Sequence, residues 1–215
     1  MPDEMILVGI AGASGSGKSS LARSIAGQLE GKFGKEQVVV LQEDAYYRSR
    51  DDLTFQQREQ INYDHPDAIE HSLLLEHLQR LRQGVSVAVP QYDYTSHNRQ
   101  PDFSRLHPPR LLLLEGILVL HDVRIRSELN LSVYVDVPLD VCLTRRLARD
   151  VNDRGRTAIS VKQQFQDTVK PMYFEFIEPT RQLADIIVPG GGQNEKAVAL
   201  LIAFLERRLA DGSDG

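Results

Sequence analysis

The chain has 215 residues, 41% of them hydrophobic, and a formal net charge of −5. That is enough for one domain with a proper core, or one domain with an insertion. The acidic balance argues against broad binding to nucleic acid or anionic membrane, so any anion site must be a local cluster of Lys, Arg or backbone N–H groups. One cysteine, Cys142, rules out an intrachain disulfide, as expected of a reducing, cytoplasmic setting. Its apolar helical context marks it as a core thiol. Acids near the N-terminus do not suit a signal peptide, and the longest apolar run, 111–120, is broken by Glu115, so no membrane span is expected.

Taken in order, MILVGIA (5–11) reads as a buried strand and Lys18–Leu29 as a helix. VVVLQ (38–42) is a second strand. Residues 67–82 read as an amphipathic helix with Leu74, Leu78 and Leu81 on one face and Gly84 past its end. Asp64, His65 and Pro66 stand where its cap belongs. RLLLLEG (110–116) and LSVYVDV (131–137) are further buried strands, and Pro138 opens the next helix. ADIIVP (184–189) is a fifth strand. The last helix carries Val198, Leu201, Ile202, Leu205 and Leu209 as one stripe, capped by Asn194. The final five residues, 211–215, read as a disordered tail. Strands alternating with helices predict a doubly wound parallel α/β sheet, with ligands at the carboxyl ends of its strands.

At the end of the first strand, Gly12-Ala13-Ser14-Gly15-Ser16-Gly17-Lys18-Ser19 fits G-x-x-x-x-G-K-[ST], a Walker A phosphate loop, with Ser20 following. Glycines allow close backbone approach, and N–H groups at a helix start converge on phosphate oxygens. Lys18 supplies charge and Ser19 a hydroxyl for Mg²⁺. The partner acid should end an apolar strand. Glu115 and Asp136 both do, and the stronger apolar run favours Glu115, leaving Asp136 as a strand-end or capping acid. No N-K-x-D or D-x-x-G motif occurs, which weakens a GTP-switch reading.

Phosphoryl transfer needs a base and cations. Asp44, just beyond the second strand, can serve as the base or merely as a turn acid closing the strand, and its neighbour Glu43 shows that acids there need not be catalytic. Arg145, Arg146, Arg149, Arg154 and Arg156 cluster against Asp150 and Asp153 and suggest a lid over about 144–157. Arg145 is expected to form only intrahelical ion pairs. The decamer PQYDYTSHNR (90–99) gathers Tyr92, Tyr94 and His97, which by itself reads as a hairpin whose tyrosines cover core. The six histidines show no metal-pair spacing.

Together GASGSGKSS, EDAYY, NYDHPDA, QYDYTSHNR, LEGIL, RRLARDVNDRGR and ADIIVPGGG resemble the uridine–cytidine kinases of bacterial type, over about residues 5 to 208. The resemblance implies one P-loop kinase domain (1–210), with a five-stranded parallel sheet, an arginine-rich helical lid and a β-hairpin of about 85–100 over the nucleoside. It implies Asp44 as base, with Lys18, Arg154 and Arg156 acting on the transferring group. Ser19 and Glu115 fall on the magnesium side, and Gly12–Ser20 bind ATP or GTP. Asp64 and Arg146 match ribose-holding positions, and Tyr47, Tyr92, Tyr94, His97, Arg149 and Gln164 match the nucleoside pocket. It further implies uridine and cytidine as substrates, pyrimidine salvage as the pathway and a homotetramer as the assembly. A phosphoribulokinase-like sugar kinase and a non-transferring nucleotide-binding regulator are the alternatives. One departure concerns Gly190, where members of the family often carry Arg; it bears on the choice of donor.

Overall fold

A computed structural model describes residues 5–153 and 155–211. Five strands form one parallel sheet in the order β2-β5-β1-β6-β7. They are β1 (Ile6–Gly12), β2 (Val38–Gln42), β5 (Leu111–Glu115), β6 (Leu131–Asp136) and β7 (Ile186–Pro189). The central strands β1 and β5 are buried along their whole lengths, as a sheet covered on both faces requires. β2 and β7 are the edges and carry more exposed positions. The chain passes from β1 to one edge, returns through β5 to pair with β1, then crosses to β6 on the other side. The strand order therefore diverges at β1, and the crevice at its carboxyl end is where such sheets bind ligands.

Helix α1 (Lys18–Phe33) runs one turn beyond the expected Leu29 and buries Leu21, Ala22, Ile25, Ala26 and Leu29. Two short pieces follow, the 3₁₀ turn Glu43–Tyr46 and α2 (Phe55–Glu59), which Thr54 and Gln57 close with a reciprocal capping box. The helix expected over 67–82 is split. Pro66–Ala68 form a 3₁₀ turn that His65 caps through Nδ1, and α3 proper is His71–Arg82. Asp64 is thus too far upstream to cap α3. Leu74, Leu78 and Leu81 are buried on it as the pattern required.

The hairpin is longer than 85–100. Its strands are β3 (Val87–Asp93) and β4 (Asn98–Leu106), antiparallel, with a register shift between Pro90 and Tyr92. His97 closes its turn at φ 51, a conformation side chains seldom adopt. Asn98 fixes the tip to the chain after β2: its Oδ1 accepts from Arg50 N–H (2.7 Å) and its Nδ2 donates to Asp51 (2.6 Å). Arg99 adds an ion pair to Glu70 at 2.7 Å.

Beyond α4 (Val123–Arg126), Pro138 leads into α5 (Leu139–Asp153), where Cys142 is fully buried. α6 (Ala158–Gln164) continues through a π turn, α7 (Lys170–Met172) and a second π turn ending at Ile177. α8 (Glu195–Asp211) buries its expected stripe, and Asn194 Oδ1 accepts the Ala197 N–H at 3.1 Å. Asp211 is helical; the rest of the anticipated tail, 212–215, lies outside the described residues.

Candidate active site

The loop between β1 and α1 folds as a cradle. Gly15 has φ 88, and a Cβ there would lie 2.4 Å from the Cys142 carbonyl oxygen, so only glycine fits. Gly17, at φ 95, precedes α1 without any side-chain cap, which leaves the first N–H groups of α1 to a ligand. Ser14, Gly15, Gly17, Lys18, Ser19 and Ser20 line a cleft of about 880 Å³. Gly12, Ala13 and Ser16 are buried and do not line the cleft.

Every other described residue singled out from the sequence lines that cleft: Asp44, Tyr47, Asp64, Tyr92, Tyr94, His97, Glu115, Arg146, Arg149, Arg156 and Gln164. Arg154 lies outside the described residues.

At the cradle's foot, the Ser19 hydroxyl donates to Glu115 Oε1 at 2.7 Å, and Gln42 Nε2 approaches the same oxygen at 3.3 Å. Glu115 is 4% exposed. A hydroxyl and a carboxylate side by side form a hard oxygen pair whose chemistry fits Mg²⁺. Among the described residues no group of three or more His, Cys, Asp or Glu side chains forms an all-protein metal cage. Asp136 pairs instead with Arg181, at 3.1 Å.

Asp44 stands on the 3₁₀ turn after β2, and the Tyr94 hydroxyl donates to its Oδ2 at 2.8 Å. Tyr94 thus engages the candidate base through its hydroxyl, while its ring meets Tyr92 edge-on at 5.3 Å. Tyr47 lies 4.9 Å from Tyr92. His97 stacks on Tyr63 at 5.5 Å and 22°. Tyr63 and Phe55 also line the slot, and neither was singled out from the sequence. Tyr63 sits inside the quoted NYDHPDA, beside Asp64, where a ring next to a candidate sugar ligand was a usable signal. Burial raises the pKa of Tyr92, as does its neighbour Tyr63, so its phenol stays protonated.

Asp64 is 6% exposed. Burial raises its pKa; Arg146 opposes that rise and the nearby Asp44 charge adds to it. Arg146 donates to Ser14 Oγ (2.8 Å) and Gln164 Oε1 (3.0 Å). Asp150, at 0% exposure, collects three arginines: Arg149 at 2.8 Å, Arg146 at 3.5 Å and Arg156 at 3.9 Å. Arg145 departs from the intrahelical pairing expected of it. Its guanidinium donates to the Ser16 carbonyl oxygen (3.1 Å) and to Gln193 Oε1 (3.0 Å), joining α5, the cradle and the turn after β7. Helical spacing shows a residue's neighbours on its own helix but not what that helix packs against.

Residues 7–197 match the phosphoribulokinase / uridine kinase family. The uridine kinase of Serratia proteamaculans is 48% identical over 206 residues, 96% of this chain and 97% of that one. The uridine kinase of Erwinia tasmaniensis is 50% identical over 204 residues, 95% and 96% of the two chains. Among solved structures, one from Silicibacter sp. TM1040 has a TM-score of 0.70 at 19% identity, covering 86% of this chain and 90% of that one. YFH7 from Saccharomyces cerevisiae has 0.63 at 12%, covering 87% and 93%. These two share the fold. With a phosphate cradle, a carboxylate and a ring-lined slot in one cleft, and with that match across most of its length, the chain belongs to the phosphoribulokinase / uridine kinase family of phosphotransferases.

Proposed function

We propose that the protein transfers the γ-phosphoryl group of ATP or GTP to the 5′-hydroxyl of uridine or cytidine, giving UMP or CMP, a pyrimidine salvage step. The observation that carries this reading is the shared cleft: Asp44 stands in the same cavity as Lys18 and the rings of Tyr92, Tyr94 and His97. The relatives at 48% and 50% identity are named uridine kinases, which supports the same acceptor.

In this reading the rings hold the pyrimidine, and a neutral imidazole at His97 meets either uracil O4 or cytosine N4 according to its tautomer. Asp64 and Arg146 receive the ribose 2′ and 3′ hydroxyls. Asp44 takes the 5′-hydroxyl proton as the oxygen–phosphorus bond forms and the bond to the nucleoside diphosphate breaks. Lys18, Arg154 and Arg156 stabilise the charge on the transferring group. Ser19 and Glu115 would hold Mg²⁺, whose contribution would be to neutralise phosphate charge. A phosphoribulokinase-type acceptor has no heterocycle and would leave the ring-lined slot without a purpose.

ADP release is measured with Mg-ATP alone, with uridine, with cytidine and with ribulose 5-phosphate. Release that depends on either nucleoside is expected; release driven by ribulose 5-phosphate, or by no acceptor at all, overturns the reading. Asp44→Asn should then abolish turnover while nucleotide binding persists, and normal turnover by that variant removes Asp44 as base.

A further inference from the structure

Glu43 reads from the sequence as a spectator beside Asp44. Its surroundings say otherwise. β2 and β5 are paired in register up to Gln42 and Glu115, the last residues of each strand. One residue further the two chains part, and Glu43 spans the gap between them. Its side chain is wholly buried. Oε2 accepts the Leu118 N–H at 2.8 Å, and Oε1 lies 3.3 Å from His71 Nε2 on α3. The carboxylate rests directly on Gly116, where a Cβ would come within 2.1 Å of Oε2 and 2.3 Å of Glu43 Cβ. Gly116 is in turn held to the central strand, its N–H donating to the Ile10 carbonyl oxygen at 3.1 Å.

A buried carboxyl group is costly unless it is hydrogen-bonded, and the bonds it makes here join separate segments, the turn after β5 and helix α3. They fix where the chain leaves each strand. Asp44 follows Glu43 directly, and Glu115 precedes Gly116 directly. We propose that Glu43 is a positioning residue that locks Asp44 and Glu115, the candidate base and the candidate magnesium-side carboxylate, at a set separation across the cleft. The inference rests on the roles given to those two residues under the proposed function. It assigns Glu43 no contact with either substrate.

The test compares Glu43→Ala, Glu43→Asp and Glu43→Gln with the parent protein. Readouts are kcat, the KM for uridine, the Mg²⁺ concentration giving half-maximal rate, and affinity for a fluorescent ATP analogue. Small misplacements of reacting groups are costly, so Glu43→Ala should lower kcat by about tenfold or more. It should also raise the Mg²⁺ requirement, while affinity for the analogue stays within about threefold, because the phosphate cradle is untouched. The amide oxygen of Glu43→Gln can still accept from Leu118, so this variant should recover most of the lost rate. Glu43→Asp keeps the charge but is too short to reach, and guards against an alanine variant that does not fold. Nucleoside-dependent turnover by the parent, together with full kcat in a folded Glu43→Ala or Glu43→Asp, overturns the inference and leaves the function standing. A Gln variant as damaged as Ala overturns it too. A parent without nucleoside-dependent turnover would instead remove the functional reading.

Discussion

Asp64→Asn should make the protein more stable and a worse enzyme. The carboxylate is buried, and burial holds its pKa above the ordinary carboxylate value. The folded state therefore keeps the proton at pH values where the unfolded chain, with a pKa of about 3.9, has released it. Stability is lost as pH rises from that unfolded value through the raised folded one, and above it the full cost of the buried charge is present. Asparagine removes that cost and keeps the shape. Arg146 is not stranded by the change, since Ser14, Gln164 and Asp150 still hold it. Tm measured across pH should show the variant ahead at pH 8 and the two proteins converging towards pH 4. Kinetics should move the other way. Hydrogen bonds to a charged group are worth about 1.5–3 kcal/mol. Weakening two of them, one to each ribose hydroxyl, removes about 3 kcal/mol at the low end, or roughly a hundredfold in kcat/KM at about 1.4 kcal/mol per decade. Deoxyuridine lacks only the 2′-hydroxyl, so the preference for uridine over deoxyuridine should shrink by one bond's share, roughly tenfold. A lower Tm at pH 8 would refute the electrostatic account, and an unchanged ribose preference would refute the assigned contact.

Tyr94→Phe removes the 2.8 Å bond to Asp44 and keeps the ring; at about 1.5 kcal/mol for a charged hydrogen bond, kcat should fall about tenfold with nucleotide affinity unchanged, and a kcat equal to wild type would show the bond to be incidental. Ser19→Ala should raise the Mg²⁺ concentration needed for half-maximal rate, measured at fixed ATP; an unchanged requirement would move the metal away from this residue. Cys142 is fully buried, and burial pushes its thiol up to about 11. Native protein at pH 8 should therefore resist maleimide labelling and label fully in urea; fast native labelling would refute the packing.

The sheet was legible because each strand is a continuous apolar run and the glycine loop marks where the first one ends. The boundary errors have local causes. Pro66 and the acids around it look like a helix start, but the chain extends through Ile69, which bridges to Tyr47, before α3 begins. The segment 161–177 offered a subtler signal. Val161, Phe165, Val169, Tyr173 and Ile177 are all buried, at strict four-residue spacing. A 3.6-residue turn drifts about 40° per such step. The two π turns widen the helix in this stretch and hold the stripe on one side. In the cleft, residue types at motif positions were readable one by one. What joins distant segments was not: the Tyr94–Asp44 bond and the Glu43 clamp are such contacts, whereas the Asp150 pairs join near neighbours along the chain and were foreshadowed by the arginine cluster.

The same limit explains how an acidic chain can hold an anion site. Among the described residues, six Lys and Arg side chains and four Asp and Glu side chains line the cleft of a protein whose formal net charge is −5. Attraction from the whole molecule is therefore not the source of phosphate affinity. The cations must be held in place beforehand, and three of them are held by one wholly buried acid, Asp150. An arginine has five N–H donors, so a partner on one side leaves others for phosphate. Fixed donors of this kind need little reorganisation when charge moves onto the transferring group. Arg145 and Arg146 already bond the cradle through Ser16 and Ser14. The part of α5 that carries them is therefore a fixed wall of the site.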